Sequence, residues 1–228
     1  MPTAPSRDTN DSTPTNGNGD GPRRSSLVQE RSRRTRQELV NAAVQLWTER
    51  GFEHGVENTT VEEIARAAGV TKGTFYFHFA HKDDILLEMS WATGELMAEE
   101  AEAGMKRDLG SFELADQLMM SLARRVGRAP RAAVLRVAQH WGRHGHGLRE
   151  PLDPRTFRAA FATVVSYAVD RGDLPDDTDI SELAALLEAA TMSALAAWAG
   201  SDQSETELRR RLRRRTEIVF RGAAATSA

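Results

Sequence analysis

Apolar residues recur along most of this chain at intervals of three and four, the spacing that gathers them on one face of an α-helix. Between about Gln29 and Arg50 the stripe is Leu39, Ala43, Leu46 and Trp47. Gly51 then Phe52 ends it, a glycine suited to a left-handed cap with an apolar residue just beyond. A polar stretch, EHGVENT, follows. Two short helical patterns come next. Thr60-x-x-Glu63 opens the first as a capping box, Ile64, Ala65 and Ala68 give its apolar face, and Gly69 ends it. Val70 turns back to the core, and Thr71 caps the second, which holds Lys72, Gly73 and Thr74 in its first turn and Phe75 and Phe79 one turn apart.

From Lys82 a longer stripe begins (Ile85, Leu86, Met89, Ala92, Leu96), with Asp83 and Asp84 in the first turn, where the helix dipole favours acids. Further helices are predicted over 111–127, 130–143, 154–171, 179–199 and 204–221. Their starts carry Pro130, Asp153 before Pro154, and the capping-box pairs Asp179/Glu182 and Ser204/Glu207. No stretch alternates polar and apolar residues as a strand would. The pattern predicts an all-α chain of about nine helices. Four regions follow from it: a polar, basic tail over 1–28 expected to be disordered, a three-helix unit over 29–81, a helical unit over 82–221, and a short disordered tail over 222–228.

Composition narrows the possibilities. With no cysteine, disulfides, thiolate catalysis and cysteine-ligated metals are excluded. No uninterrupted apolar run approaches the roughly 20 residues that cross a bilayer, and no basic-then-apolar leader is present, so a cytoplasmic location without membrane attachment is the expectation. The net charge of −3 is uneven: six arginines stand between Arg23 and Arg36 against Glu30 alone. That concentration suggests a basic arm toward an anionic partner.

Two short helices joined by a tight turn, with Ala65 and Gly69 four apart, fit a helix-turn-helix. Ala permits close approach and Gly a left-handed turn, and the second helix of such a unit enters the DNA major groove. On that helix Phe75, Phe77 and Phe79 are expected in the core, while Tyr76 and His78 carry polar tips suited to phosphate oxygens. Lys82 adds a charge where the next helix presents free N–H groups, an anion site.

Between Arg36 and Leu87, the segments ELVNAAVQLWTERGF and TTVEEIARAAGVTKGTFYFHFAHKDDIL closely resemble the DNA-binding domain of the tetracycline-repressor (TetR) family of bacterial regulators. The resemblance implies an all-α homodimer, one helix-turn-helix per subunit on double-stranded operator DNA, and a larger C-terminal domain that binds a small molecule. By position, Thr60, Tyr76, His78 and Lys82 match phosphate-contacting residues. Thr71, Lys72, Gly73 and Thr74 fall where recognition-helix residues face bases. Two departures stand out: the connection between Phe52 and Thr59 is about four residues longer than the family's usual one, and His81 replaces a small capping residue.

In the second half, ISELAALLEAATMSALAAW is apolar on nearly every face, so 179–199 and 204–221 are the candidate dimer helices. The arginines of RRRLRRR, Arg209 to Arg215, read as a solvated, ion-paired face beside the stripe Leu208, Leu212, Ile218 and Val219. Trp91, Met119, Met120, His140, Trp141, Phe157, Phe161, Tyr167 and Met192 are candidate lining residues for a hydrophobic or amphipathic effector. His140 and His144, four apart, with His146 nearby, could instead hold a metal, the alternative of a metal-responsive regulator. No nucleophile elbow, His-Glu-x-x-His or phosphate-cradling glycine loop supports an enzyme, and no cofactor is implied.

Overall fold

A computed structural model describes residues 21–144 and 155–225. Among the described residues all regular structure is helical: α1 (Gly21–Glu49), α2 (Phe52–Gly55), α3 (Val61–Ala67), α4 (Lys72–His78), α5 (Asp84–Lys106), α6 (Ser111–Gly127), α7 (Arg131–His144), α8 (Phe157–Asp170), α9 (Ile180–Ala199) and α10 (Glu205–Ala225). Among the described residues, those up to Gln37 form one compact unit and those from Glu38 onward another.

Several boundaries differ from the sequence pattern. The tail predicted over 1–28 is helical from Gly21, while residues 1–20 lie outside the described residues. Burial is not the cause, since Leu27 and Val28 are 59% and 66% exposed. Extending an existing helix avoids the cost of nucleating one, and Pro22 sits in the first turn, where its missing N–H goes unused. The C-terminal helix likewise runs on to Ala225, past the predicted end at residue 221. The additional short helix, α2, lies in the stretch read as a polar loop. Helix α8 begins at Phe157, capped by Thr156, whose Oγ1 accepts from the Ala159 N–H at 3.2 Å. The predicted cap, Asp153, lies outside the described residues.

Leu39, Ala43, Trp47, Ile64, Phe75 and Ile85 are fully buried and, with Phe52, Val56, Ala65, Phe79 and Leu86, build the core under the short helices. Trp47 meets Phe52 edge to face at 5.6 Å. Gly55 makes that packing possible, because a Cβ there would lie 2.5 Å from the Trp47 carbonyl oxygen. Gly51 and Gly69 carry the positive φ values, 76° and 70°, that their turns require.

The larger core joins α5 to α10, with Met97, Leu114, Leu118, Met119, Leu122, Val165, Ala184 and Leu208 fully or almost fully enclosed. Helix α9 packs on α7, α8 and α10. By length and composition it could cross a membrane, with mean hydropathy 1.4, which revises the expectation that no segment could. Its apolar faces are met by protein instead: Leu183, Leu187, Met192, Leu195 and Trp198 are buried. In its middle, Glu188 accepts a 2.9 Å hydrogen bond from Arg158 Nε, both side chains less than a tenth exposed. Two charges removed from water are tolerated there because each neutralises the other.

Candidate functional site

The helix-turn-helix is set by backbone geometry between α3 and α4. The Val70 N–H donates to Ala65 O at 2.9 Å and the Gly69 N–H to Arg66 O at 3.1 Å, closing the turn. Ala65, 2% exposed, lets α4 pass close to α3. Thr71 caps α4, its Oγ1 accepting from the Thr74 N–H at 3.1 Å and lying 2.9 Å from the Thr74 hydroxyl.

The faces of α4 divide sharply. Phe75 and Phe79 are buried in the core, as expected. Phe77, expected there with them, is 79% exposed and stands edge-on to the His78 ring at 5.1 Å. A position two residues from both core phenylalanines lies about 200° round the helix from each, and periodicity rather than residue type decides. Tyr76 is half exposed, edge-on to Phe75. Lys72, exposed, pairs with Glu62 of α3, and its Nζ lies 5.8 Å from the centre of the Tyr76 ring. That hydrogen bond holds the Glu62 carboxyl below its ordinary range and the Lys72 ammonium above its own. Gly73 is exposed, and a Cβ there would meet only Thr71 Oγ1 at 3.7 Å, ordinary contact. Packing therefore permits a side chain at Gly73, and its absence leaves open space on the outer surface. Thr74 and His78 are half-buried.

The phosphate-contact candidates Thr60 and Lys82 are held by the protein itself. The Thr60 hydroxyl and N–H both donate to Glu63 Oε2, at 3.0 and 2.8 Å, and the hydroxyl accepts from the Glu63 N–H. Arg50 grips the same carboxylate at 2.6 Å and donates to Asn58 O at 2.7 Å. Hydrogen bonds from Arg50, then from Thr60, lower the Glu63 carboxyl to about 2. Lys82 Nζ donates to Glu57 O and Thr59 O, each at 2.9 Å, which leaves one proton for an outside anion. The anion site expected beside Lys82 is absent as drawn from the sequence: α5 begins at Asp84, and the N–H groups of Asp84, Ile85 and Leu86 already reach carbonyls of residues 81–83. The N-cap of α5 is Asp83, without a side-chain cap bond, and Asp84 Oδ2 accepts the His81 N–H at 2.8 Å.

In the second domain, a mostly apolar cavity of about 170 Å³ lies among α5, α6, α7, α8 and α9. Phe157 and Met192, named from sequence, line it. Met89, Leu195 and Arg125 join them, but most of the wall is small: Thr93, Ala133, Val134, Val137 and Ala138 among others. Large side chains fill space rather than surround it, so a search for aromatics and methionines finds the core instead. Met119 and Phe161 are buried in the packed core, with Met120 and Trp141 against it. Tyr167 donates its hydroxyl to Leu109 O at 2.9 Å, and Trp91 lies under the Arg155 guanidinium, 4.2 Å from the ring centre. His140 is 3% exposed. For the metal reading, the His144 side chain and His146 lie outside the described residues, and no group of three metal-ligating side chains occurs among the described ones.

An exposed short helix on a glycine-turned pair, followed by six longer helices that enclose a cavity, is a helix-turn-helix architecture. Residues 39–89 match the family described as bacterial regulatory proteins, tetR family. The regulator TcmR of Streptomyces glaucescens is 31% identical over 72% of this chain and 84% of its own length. The chain therefore belongs to the tetR family of bacterial regulatory proteins. It is also 35% identical to a probable acrEF/envCD operon repressor of Escherichia coli K12, over 47% of this chain, and spans about half (48%) of that relative's length. The fold is that of the Thermus thermophilus FadR repressor in complex with lauroyl-CoA, with TM-score 0.66 at 22% identity, covering 82% of this chain and 94% of that one.

Proposed function

We propose that the chain is a transcriptional repressor that binds a palindromic DNA operator as a homodimer and is released by a small hydrophobic or amphipathic molecule. The observation that carries the reading is the outer face of α4, where Lys72, Gly73, Tyr76 and Phe77 are exposed together while Phe75 and Phe79 anchor the helix from behind. An exposed phenylalanine has no folding role, but beside a lysine, a tyrosine and a gap at Gly73 it suits a major groove, where thymine methyl groups offer apolar contact. Tyr76, His78, Lys82 and Thr60 border that face as phosphate contacts, with Thr71, Lys72, Gly73 and Thr74 toward the bases. Thr60 acts chiefly by holding the start of α3, because its hydroxyl proton is engaged by Glu63.

The dimer forms through α9 and α10. Leu186 and Ile218, 49% and 58% exposed, lie on one groove between these helices with Leu183, Val219 and Ala223. Two α4 helices then sit about one DNA turn apart, roughly 34 Å. The arginines of α10 are engaged nearby, Arg210 with Glu207 at 2.8 Å and Arg211 with Gln203 at 2.6 Å, which favours an ion-paired face over a second DNA site. An apolar cavity favours an apolar effector. At about 170 Å³ it is smaller than the ~300 Å³ of typical drug-sized sites, so a larger molecule must spread the helices, which in turn moves the domain's position on DNA. Such a regulator works in the cytoplasm.

Selection of bound sequences from a random DNA pool, followed by a small-molecule release screen on the selected site, tests the reading. On that site Tyr76→Phe and Lys82→Ala are expected to weaken binding evenly across sequences, and Lys82→Ala to reduce the salt slope by about one. Failure of the chain to enrich any sequence overturns the reading.

A further inference from the structure

The connection between α1 and α3 reaches α7. Its residue Glu57 accepts a 2.6 Å hydrogen bond at Oε1 from Arg136 Nη2 of α7. The Arg136 side chain is only 19% exposed, so its guanidinium is held against protein, while the Glu57 carboxylate is 64% exposed and faces solvent. The backbone oxygen of the same Glu57 holds Lys82, as does Thr59 O. One residue later Asn58 O accepts from Arg50, and Arg50 continues through Glu63 to the capping box at Thr60. Four consecutive residues, 57–60, thus tie α7 to the first turn of α3 and to Lys82.

Helix α7 has a second role along its length. Ala133, Val134, Val137 and Ala138 wall the cavity. Ala133 is at the same time buried in the core beneath the short helices, with Ala132 and Val137 packed against it. At its start, Arg131 stacks on the Trp198 ring at 4.2 Å and donates to Trp198 O at 3.0 Å and to the carbonyls of Ser201 and Gln203. The helix is therefore fixed at one end to the α9–α10 turn, borders the cavity along its middle, and holds Glu57 in between. A rigid helix cannot shift at the cavity without moving that guanidinium.

We infer that Arg136 is a positioning residue for DNA binding: through Glu57 it sets the 57–60 loop and Lys82, and so passes the position of the cavity-lining helix to the DNA grip. This rests on the operator-binding reading above. The pair fits the role physically, since a charge-assisted hydrogen bond between two domains has direction as well as strength, and a displacement of about 1 Å breaks it. Apolar contact at Ala133 alone would slide.

The test uses the full chain and an operator selected by the wild type, with affinity read by fluorescence anisotropy. Arg136→Gln and Glu57→Gln are each expected to weaken operator binding about fivefold. The exchanged pair, Glu57→Arg with Arg136→Glu, is expected to recover most of the loss. In a Lys82→Ala background, Arg136→Gln is expected to add little, because both act through one loop. Ala138→Leu, which enlarges a cavity residue, is expected to change operator affinity in the wild-type pair and to lose that effect with Arg136→Gln. Thermal melting of every variant separates folding from positioning. Wild-type affinity in Arg136→Gln, or losses that simply add to those of Lys82→Ala, overturn the inference while leaving operator binding intact. A wild-type chain that enriches no sequence overturns both.

Discussion

The short-helix unit and the six-helix domain are held in place by different physics. In the first, α3 and α4 have seven residues each, too few to persist alone. Their ends are fixed one by one: the reciprocal box at Thr60, the cap at Thr71, the left-handed Gly69, and the Arg50 and Lys82 tethers to loop carbonyls. In the second, α5, α9 and α10 exceed nineteen residues, and packing across distant segments does the work. Ion pairs there lie mostly at the surface, and the exception is Arg158 with Glu188, buried among the helices. A recognition surface needs defined positions and free outer side chains, which local capping supplies. The cavity needs a core that can hold a void, which long helices with small residues at chosen places supply.

Breaking the deep pair tests that contrast most severely. Glu188→Ala leaves Arg158 charged in an apolar interior, and a loss of about 3–5 kcal/mol is expected in denaturant unfolding. Replacing both, Arg158→Met with Glu188→Leu, is expected to recover most of it. A single variant that unfolds like wild type means water reaches the site.

On the recognition face the effect should be on binding alone. Phe77→Ala is expected to change stability by less than about 0.5 kcal/mol, since the side chain touches mainly solvent. Operator affinity is expected to fall at least about fivefold. A stability loss of core size in calorimetry would mean that Phe77 packs against protein.

Gly73→Ala sharpens the same point with a smaller expected change. Open space and a helical backbone predict a gain of up to about 1 kcal/mol in folding stability, with weaker operator binding if the gap admits DNA. Stability and affinity moving together would remove the gap's functional meaning.

The smallest effect concerns pH. Because Glu63 is held at about 2, below its ordinary carboxyl value, the pairing contributes fully above pH ~4.5 and is lost as pH falls toward 2. Melting curves of Glu63→Gln are therefore expected to be flatter than wild type between those limits. Parallel curves would show that the Arg50 contact is not retained in solution.

Much of the first unit could be read without coordinates. Thr60-x-x-Glu63 and Gly69 are local signals, and Asp179 and Ser204 accept the Glu182 and Glu207 N–H groups where the spacing puts them. What failed were readings by residue type. Residue type alone points Phe77 to the core and Lys82 to a free anion site, whereas Phe77 is exposed and the Lys82 ammonium is shared with carbonyls more than twenty residues back in the chain. Large side chains point to the core, whereas the cavity is walled largely by small ones.

By itself the sequence determined the helices, their caps and turns, and the family, because those depend on spacing and on groups within about four residues of one another. Only the tertiary structure decided that Arg136 meets Glu57, that Glu188 lies buried against Arg158, and that Ala133, Val134 and Ala138 border empty space. Those outcomes depend on which helix faces stack together, and a void is a property of several helices at once rather than of any residue in the chain.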